Sequence, residues 1–336
     1  FKSNLKFTTN GKTSLIMILN DLKIKKGCNI LIPTFICESI PKILKLYGFK
    51  IVYYELDING SINLEKIKKI IKKKNIKAFL LINYFGLNAL ANLQIAKNLK
   101  KLRKFKCKII HDCSHTYQVK IINEKFYDGI FFSLKKVFPL PILGAYWTKN
   151  NKNTFYAVKF SLKDLFIIIS DILLFILKYI PILNNILLNL KINNNNSHDK
   201  KIIEINQINY LTYITLNYNK KIKDSIVKRK KNLNYLIKLF RFKKYQLIFN
   251  NFHKHFVPQV FTILIKNKNI FNKIKNKGFK VYKWPGDELP LKIKNDKRKY
   301  NNTNFLNNNI ICIPIHESVN KKNIFELHKI VSSYEN

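Results

Sequence analysis

Through its first half this chain alternates short apolar bursts with amphipathic stretches, and few folds accept that order. The bursts fall at 29–33, 50–56, 78–83, 107–111 and 129–133, each about the length of a buried strand. Between them, 13–22, 39–47, 64–73 and 93–105 carry apolar residues three and four apart, the spacing of one helix face. Strand, helix and strand in succession predict a mostly parallel sheet with helices on both faces, a doubly wound α/β layout. In such a sheet ligands bind beyond the carboxyl ends of the strands, so the residues that follow each burst are the ones to inspect.

The second half reads differently. Residues 165–177 form the most apolar stretch of the chain, and it continues past Lys178 from Ile180 to Leu190. A membrane span needs about 20 residues with few charges, and Asp171 and Lys178 interrupt this one. The expectation is a buried or subunit-interface helix, with peripheral membrane contact through 165–190 as the alternative. The run Asn-Asn-Asn-Asn-Ser-His at 193–198 reads as a loop. A helix at 220–240, a strand at 261–265, a helix at 270–277 closed by Gly278, strands at 279–282 and 310–314 and a helix at 322–333 then describe a second, smaller α/β unit. The chain divides into a large domain, 1–215, and a small one, 216–336.

Charge tempts toward another partner. There are 62 Lys+Arg against 19 Asp+Glu, a formal charge of +43. Only four of the 62 are arginine and the other 58 are lysine, whereas surfaces that read phosphate or guanine favour the arginine fork. Lysine rises together with asparagine and isoleucine along the whole chain, as an AT-rich coding sequence would produce, which argues against nucleic acid. The five cysteines include no C-x-x-C pair, so neither a disulfide framework nor a zinc site is indicated, and a reducing cytoplasm is expected. The first residue is Phe rather than Met and no signal-peptide pattern follows, so the expectation is a chain that lacks its natural start.

Three polar clusters lie where the layout puts ligands. Asn10-Gly-Lys-Thr-Ser14 precedes the first helix, where free backbone N–H groups and the helix dipole can bind a phosphate or simply cap the helix. His111-Asp-Cys-Ser-His115 follows a strand, and an Asp there can pair with a protonated ring nitrogen or cap the next helix. Ser133-Leu-Lys-Lys136 ends the next strand, and a lysine between apolar segments can act as a nucleophile toward an aldehyde. With 58 lysines in 336 residues, the pair Lys135-Lys136 has meaning only beside the other clusters. No glycine-rich dinucleotide or Walker motif and no H-E-x-x-H occurs.

These clusters, with Ile32-Pro-Thr-Phe-Ile-Cys37, Asn83-Tyr-Phe-Gly86 and Gly144-Ala145 between and after them, resemble in order and spacing the DegT/DnrJ/EryC1/StrS family of pyridoxal-phosphate-dependent sugar aminotransferases. Arg229-Lys-Lys-Asn-Leu-Asn-Tyr235, Trp284-Pro285 and Ile313-Pro-Ile-His316 extend the resemblance downstream. It implies the fold type I transferase architecture: a large domain with a mostly parallel mixed sheet flanked by helices, plus a smaller C-terminal α/β domain.

By the same resemblance Lys136 is the lysine that bonds to the cofactor, with Lys135 next in line. Asp112 holds the pyridinium nitrogen protonated, and His115 stands near the 3-hydroxyl. Ser133 and the turn at Lys12 and Thr13 hold the phosphate. Cys37 takes the place where the family often stacks an aromatic ring, Asn83 replaces a frequent His, and Leu143-Gly144 replaces a Gly-Gly pair. The implied reaction carries an amino group, from glutamate, to a keto group of a nucleotide-linked sugar for surface polysaccharide, in a cytoplasmic homodimer with shared active sites. Relatives without the lysine perform dehydration, so that outcome, or a basic binding protein that has lost catalysis, is the alternative.

Overall fold

The computed structural model describes residues 5–8, 10–100, 107–118, 124–137, 144–150, 220–240, 248, 256–265 and 267–333. The apolar stretch at 165–190, the loop at 193–198 and the domain boundary near 215 lie outside them.

The expected α/β sheet is present. Its strands are β1 (Lys6–Thr8), β2 (Asn29–Pro33), β3 (Lys50–Tyr54), β4 (Ile76–Ile82), β5 (Lys108–Asp112), β7 (Gly129–Ser133) and β8 (Gly144–Thr148), in the spatial order β1-β8-β7-β5-β4-β2-β3. The pairs among β3, β2, β4, β5 and β7 are parallel, while β8 runs antiparallel to both neighbours, so β8 alone opposes the other six. Residues Ala78 to Ile82 of β4 are all buried, which is why this strand reads as an unbroken apolar run: both of its faces are covered.

The helices follow their punctuation. In α1 (Gly11–Asp21) the Asn10 side chain accepts from the Thr13 N–H and caps the first turn. In α3 (Leu64–Lys73), Asn63 caps and Glu65 stands in the first turn with Lys72 and Lys73 in the last, which matches the helix dipole, while Ile67 and Ile71 bury one face. The helices α2 (Ser39–Leu46) and α4 (Ala89–Leu99) complete the βαβ series.

The C-terminal part centres on an antiparallel pair, β10 (Val260–Leu264) with β11 (Ile310–Pro314), packed with α5 (Lys220–Phe240), α6 (Lys268–Asn276) and α9 (Lys321–Ser332). A second pair, β6 (Thr116–Gln118) with β9 (Phe256–Pro258), ties the segment after Asp112 to the C-terminal part.

Two expectations need correction. Residues 279–282 form no strand: only Tyr282 bridges to Cys312, on the edge of β11 that β10 leaves open. The helix expected at 93–105 begins earlier, at Ala89, with regular structure described to Leu99. The sequence reading also passed over β1, β6, β8, β9 and the short helices α7 (Leu291–Asn295) and α8 (Asn301–Asn309). Three to five residues are too few to display a period, and α8 is rich in Asn, a weak helix former.

One turn is held under strain. Phe85 has φ 58° and Gly86 φ 80°, and a Cβ on Gly86 would stand 2.8 Å from Thr116 Oγ1 and 2.9 Å from Pro258 Cα. Gly86→Ala is therefore expected to cost about 1–3 kcal/mol of stability in urea denaturation, through both φ and the collision with the β6–β9 ribbon.

Candidate active site

The carboxyl ends of β2, β4, β5 and β7 bring Phe35, Asn83, Asp112 and Ser133 to one edge of the sheet, beside the first turn of α1. The closest approach there is glycine-dependent. A Cβ on Gly11 would lie 3.1 Å from Ser114 Oγ and 3.2 Å from Ser133 Cβ. A Cβ on Gly144 would lie 2.4 Å from the Asn10 carbonyl, so β8 can receive this turn only without a side chain.

The helix cap uses the Thr13 N–H on Asn10 Oδ1, and the Ser14 N–H reaches the Asn10 carbonyl, 3.1 Å away. The N–H groups of Gly11 and Lys12 come first in the helix, where no turn precedes them to supply acceptors. With the Ser114 and Ser133 hydroxyls alongside, they form a small polar cradle at the positive end of a helix, and its chemistry suits a phosphate.

Asp112 is buried, with Oδ1 accepting the Ser114 N–H at 2.7 Å. Burial raises its pKa above the ordinary carboxylate range, opposed by the Ser114 hydrogen bonds and then by the Lys136 ammonium. A protonated ring nitrogen is the partner that such a carboxyl lacks. His115 is also buried, and burial first, then Lys136, hold its pKa well below the ordinary value, so the ring is neutral. Its Nδ1 has no hydrogen-bond partner. A buried orphan nitrogen costs free energy until a partner meets it, so it is a candidate contact for a bound group. Lys136 ends the turn after β7 with an exposed side chain close enough to influence both Asp112 and His115.

Aromatic rings line this edge. Phe85 stacks on His115 at 5.4 Å and 9° between planes, and Trp284 meets His115 at 4.7 Å and 86°. Tyr84 donates its hydroxyl to the Phe35 carbonyl at 2.7 Å. Behind the site, burial takes the His111 pKa down to about 3, and the ring is held between Tyr127, stacked at 4.5 Å, and Asn92 Nδ2, 3.2 Å from Nε2.

Of the residues singled out from the sequence, Asp112, His115, Ser133 and Lys136 thus gather with the turn of Lys12 and Thr13. Cys37 sits on the loop after β2 with its thiol against the Glu288 carboxylate and Ser39 Oγ, and burial and then Glu288 raise its pKa. The Lys135 side chain lies outside the described residues. Sequence reading missed Ser114, Tyr84, Phe85 and Trp284 as site residues. Ser114 was visible inside the His111–His115 cluster, whereas the rings converge only through tertiary contact. No cluster of three metal-ligating side chains occurs among the described residues, nor a helix there long and apolar enough to cross a membrane.

Residues 3–110 match the family model for aminotransferase class I and II. Solved structures similar over nearly the whole chain include a DegT DnrJ EryC1 StrS aminotransferase from Brucella abortus, with a TM-score of 0.66 at 14% identity over 98% of this chain and 85% of that one. The chain has the fold of the DegT/DnrJ/EryC1/StrS aminotransferases. Helicobacter pylori PseC, an aminotransferase involved in the biosynthesis of pseudoaminic acid, aligns with a TM-score of 0.66 at 14% identity over 98% and 86%. The E. coli GDP-4-keto-6-deoxy-D-mannose-3-dehydratase with bound hydrated PLP aligns with 0.64 at 15% identity over 97% and 87%. No curated protein matches the chain in sequence. In this aminotransferase fold the match over 3–110 takes in the α1 cradle and the strained turn at Phe85.

His115 gives a pH signature with a definite sign. Its folded pKa is depressed, so its contribution to stability is present above the ordinary value near 6.5 and is lost as pH falls below it. His115→Gln is expected to reduce the loss of stability between about pH 6.5 and 5, read as urea midpoints across that range, while His111, also depressed by burial, keeps its own share. Asp112, with a raised pKa, acts in the opposite direction and is unchanged in that variant.

Proposed function

We propose that this protein is a pyridoxal-phosphate-dependent aminotransferase that moves an amino group, from glutamate, onto a keto group of a nucleotide-linked sugar, for surface polysaccharide. It works as a cytoplasmic homodimer. The observation that carries the reading is the gathering of a phosphate-sized cradle, a buried carboxyl, an orphaned imidazole nitrogen and a lysine at the carboxyl ends of β5 and β7. The residues fit the cofactor. Gly11, Lys12, Ser114 and Ser133 would hold its phosphate, Asp112 its ring nitrogen and His115 its 3-hydroxyl.

When bound, pyridoxal phosphate supplies a carbonyl that takes up amino groups and a ring that accepts electrons. The chain supplies the rest. Asp112 would keep a proton on the ring nitrogen, and an ion pair made there would offset the burial of its carboxylate. Lys136, as a free amine, would carry the proton between the amino-bearing carbon of the substrate and the carbonyl carbon of the cofactor, in one direction for the donor and in the other for the sugar. The neutral His115 donates or accepts at Nδ1 without adding a second cation beside Lys136. Phe35, Tyr84, Phe85 and Trp284 keep water from one side of this edge. The presence of Lys136 favours transfer over dehydration.

Purified protein with pyridoxal phosphate is expected to show the band of the lysine-bound cofactor at roughly 410–430 nm. Glutamate should bleach it, and an unchanged band would sink the aminotransferase reading. Lys136→Ala is expected to abolish the band and to lower turnover on the order of 100-fold or more, while Lys135→Ala keeps both. The reverse pattern would move the nucleophile to Lys135.

A further inference from the structure

His115 is held in an unusual way. No hydrogen bond among the described residues reaches its imidazole, and Nδ1 is buried without a partner. The last torsion of a histidine is broad and roughly two-fold, so a ring without hydrogen bonds turns unless its neighbours stop it. The backbone is fixed: the Gln259 N–H reaches both the Phe85 carbonyl, at 3.0 Å, and the His115 carbonyl, at 3.1 Å. Gln259 is itself tethered through its carbonyl to Arg229 Nη1, 3.4 Å away. That clamp sets where the two rings start, not how they are turned.

Ring contacts settle the turn. Phe85 lies parallel to the imidazole at 5.4 Å and limits its tilt. Trp284 stands perpendicular to both members of the stack, 4.7 Å from His115 and 5.4 Å from Phe85, and limits its swing. The indole also meets Phe35 at 5.1 Å and Tyr84 at 5.7 Å, so it is wedged among four rings of the N-terminal part.

Trp284 comes from elsewhere in the chain, and its loop is pinned on both sides. The Gly286 N–H bonds Asn307 Oδ1 at 2.9 Å, the Glu38 N–H bonds the Glu288 carbonyl at 2.7 Å, and the Glu288 carboxylate takes the Cys37 thiol. We propose that Trp284 is a positioning residue for His115: the indole, delivered by a loop latched at Glu288, keeps the imidazole in the one orientation in which it meets the ligand. This rests on the reading of His115 as a contact to pyridoxal phosphate. It adds that the contact depends on a C-terminal loop.

The test uses the full chain and the variants Trp284→Phe, Trp284→Ala and Glu288→Ala, with two readouts. One is the dissociation constant of pyridoxal phosphate from the visible band. The other is the ¹⁵N-histidine NMR spectrum of the unliganded protein, with the His115 signals assigned by their loss in His115→Gln. Loss of the aromatic contacts in Trp284→Ala is expected to weaken binding about tenfold and to move and broaden the His115 ring signals. Trp284→Phe, which keeps a ring, should remain within about threefold of wild type.

If Trp284→Ala binds as tightly as wild type, or leaves the His115 signals in place, the proposal is wrong. Should that variant fail to fold, Glu288→Ala decides, because it keeps the indole and frees the loop. Weaker binding with broadened His115 signals supports the proposal, and no change in either overturns it. A wild-type protein that forms no visible band at millimolar pyridoxal phosphate ends the cofactor reading alone, and the NMR comparison still decides for or against Trp284.

Discussion

Everything at this edge of the sheet depends on how closely two stretches of backbone approach. The first turn of α1 lies against β8 at Gly144 and against the ends of β5 and β7 at Gly11. Gly144 has no room for a methyl group and Gly11 only a tight place for one, so the helix terminus comes within van der Waals reach of Ser114 and Ser133. Main-chain N–H groups are short and fixed, and they bind an anion only when nothing stands between. In a chain with nine glycines, two are used to bring one helix end onto a sheet. The α1 register is held from the other side by the Thr8–Ser14 hydroxyl contact at 2.7 Å.

The electrostatics of the site form one problem. A carboxyl, an imidazole and an ammonium share a largely dry edge, and each alters the others. Burial works against charge on Asp112 and on His115, and Lys136 then pulls the two the same way, toward loss of their protons. The outcome is a carboxyl whose charge is only partly offset by Ser114 and Lys136, and a neutral ring whose Nδ1 is without a hydrogen-bond partner. Both deficits are local, whereas the chain's charge of +43 is spread over the whole sequence. The net charge is therefore a poor guide to the chemistry, which lies in two buried groups and the lysine beside them.

Much of this was legible in the residue order, and for physical reasons. The runs at 29–33, 129–133 and 310–314 coincide with β2, β7 and β11 because strands buried on both faces must be continuously apolar. Asp112, His115, Ser133 and Lys136 could be singled out because strand ends in a doubly wound sheet are fixed in place by the alternation itself. What stayed hidden came from distant pairing. The contact of β6 with β9 joins residues about 140 apart, and no local pattern announces it. Trp284, though part of a motif in the family resemblance, has nothing around it in sequence that assigns it to the site; it matters because its loop meets the chain at Cys37 and Glu38. Phe85, with φ 58°, contradicts local preference and is legible only once Gln259 is seen to hold it.

The lone reversed strand has a further consequence. Because β8 opposes its neighbours, one of its sides is closed by β7 and the other only by β1, three residues near the start of the chain. All five residues of β8 are buried, with Tyr146 and Trp147 among them. The first strand therefore works as a selvedge: it finishes a hydrophobic border that would otherwise offer open N–H and C=O groups to another chain. It also carries Thr8, and with it the anchor of α1. Resistance to self-association and the shape of the anion cradle are joined in the same few residues at the margin of the sheet.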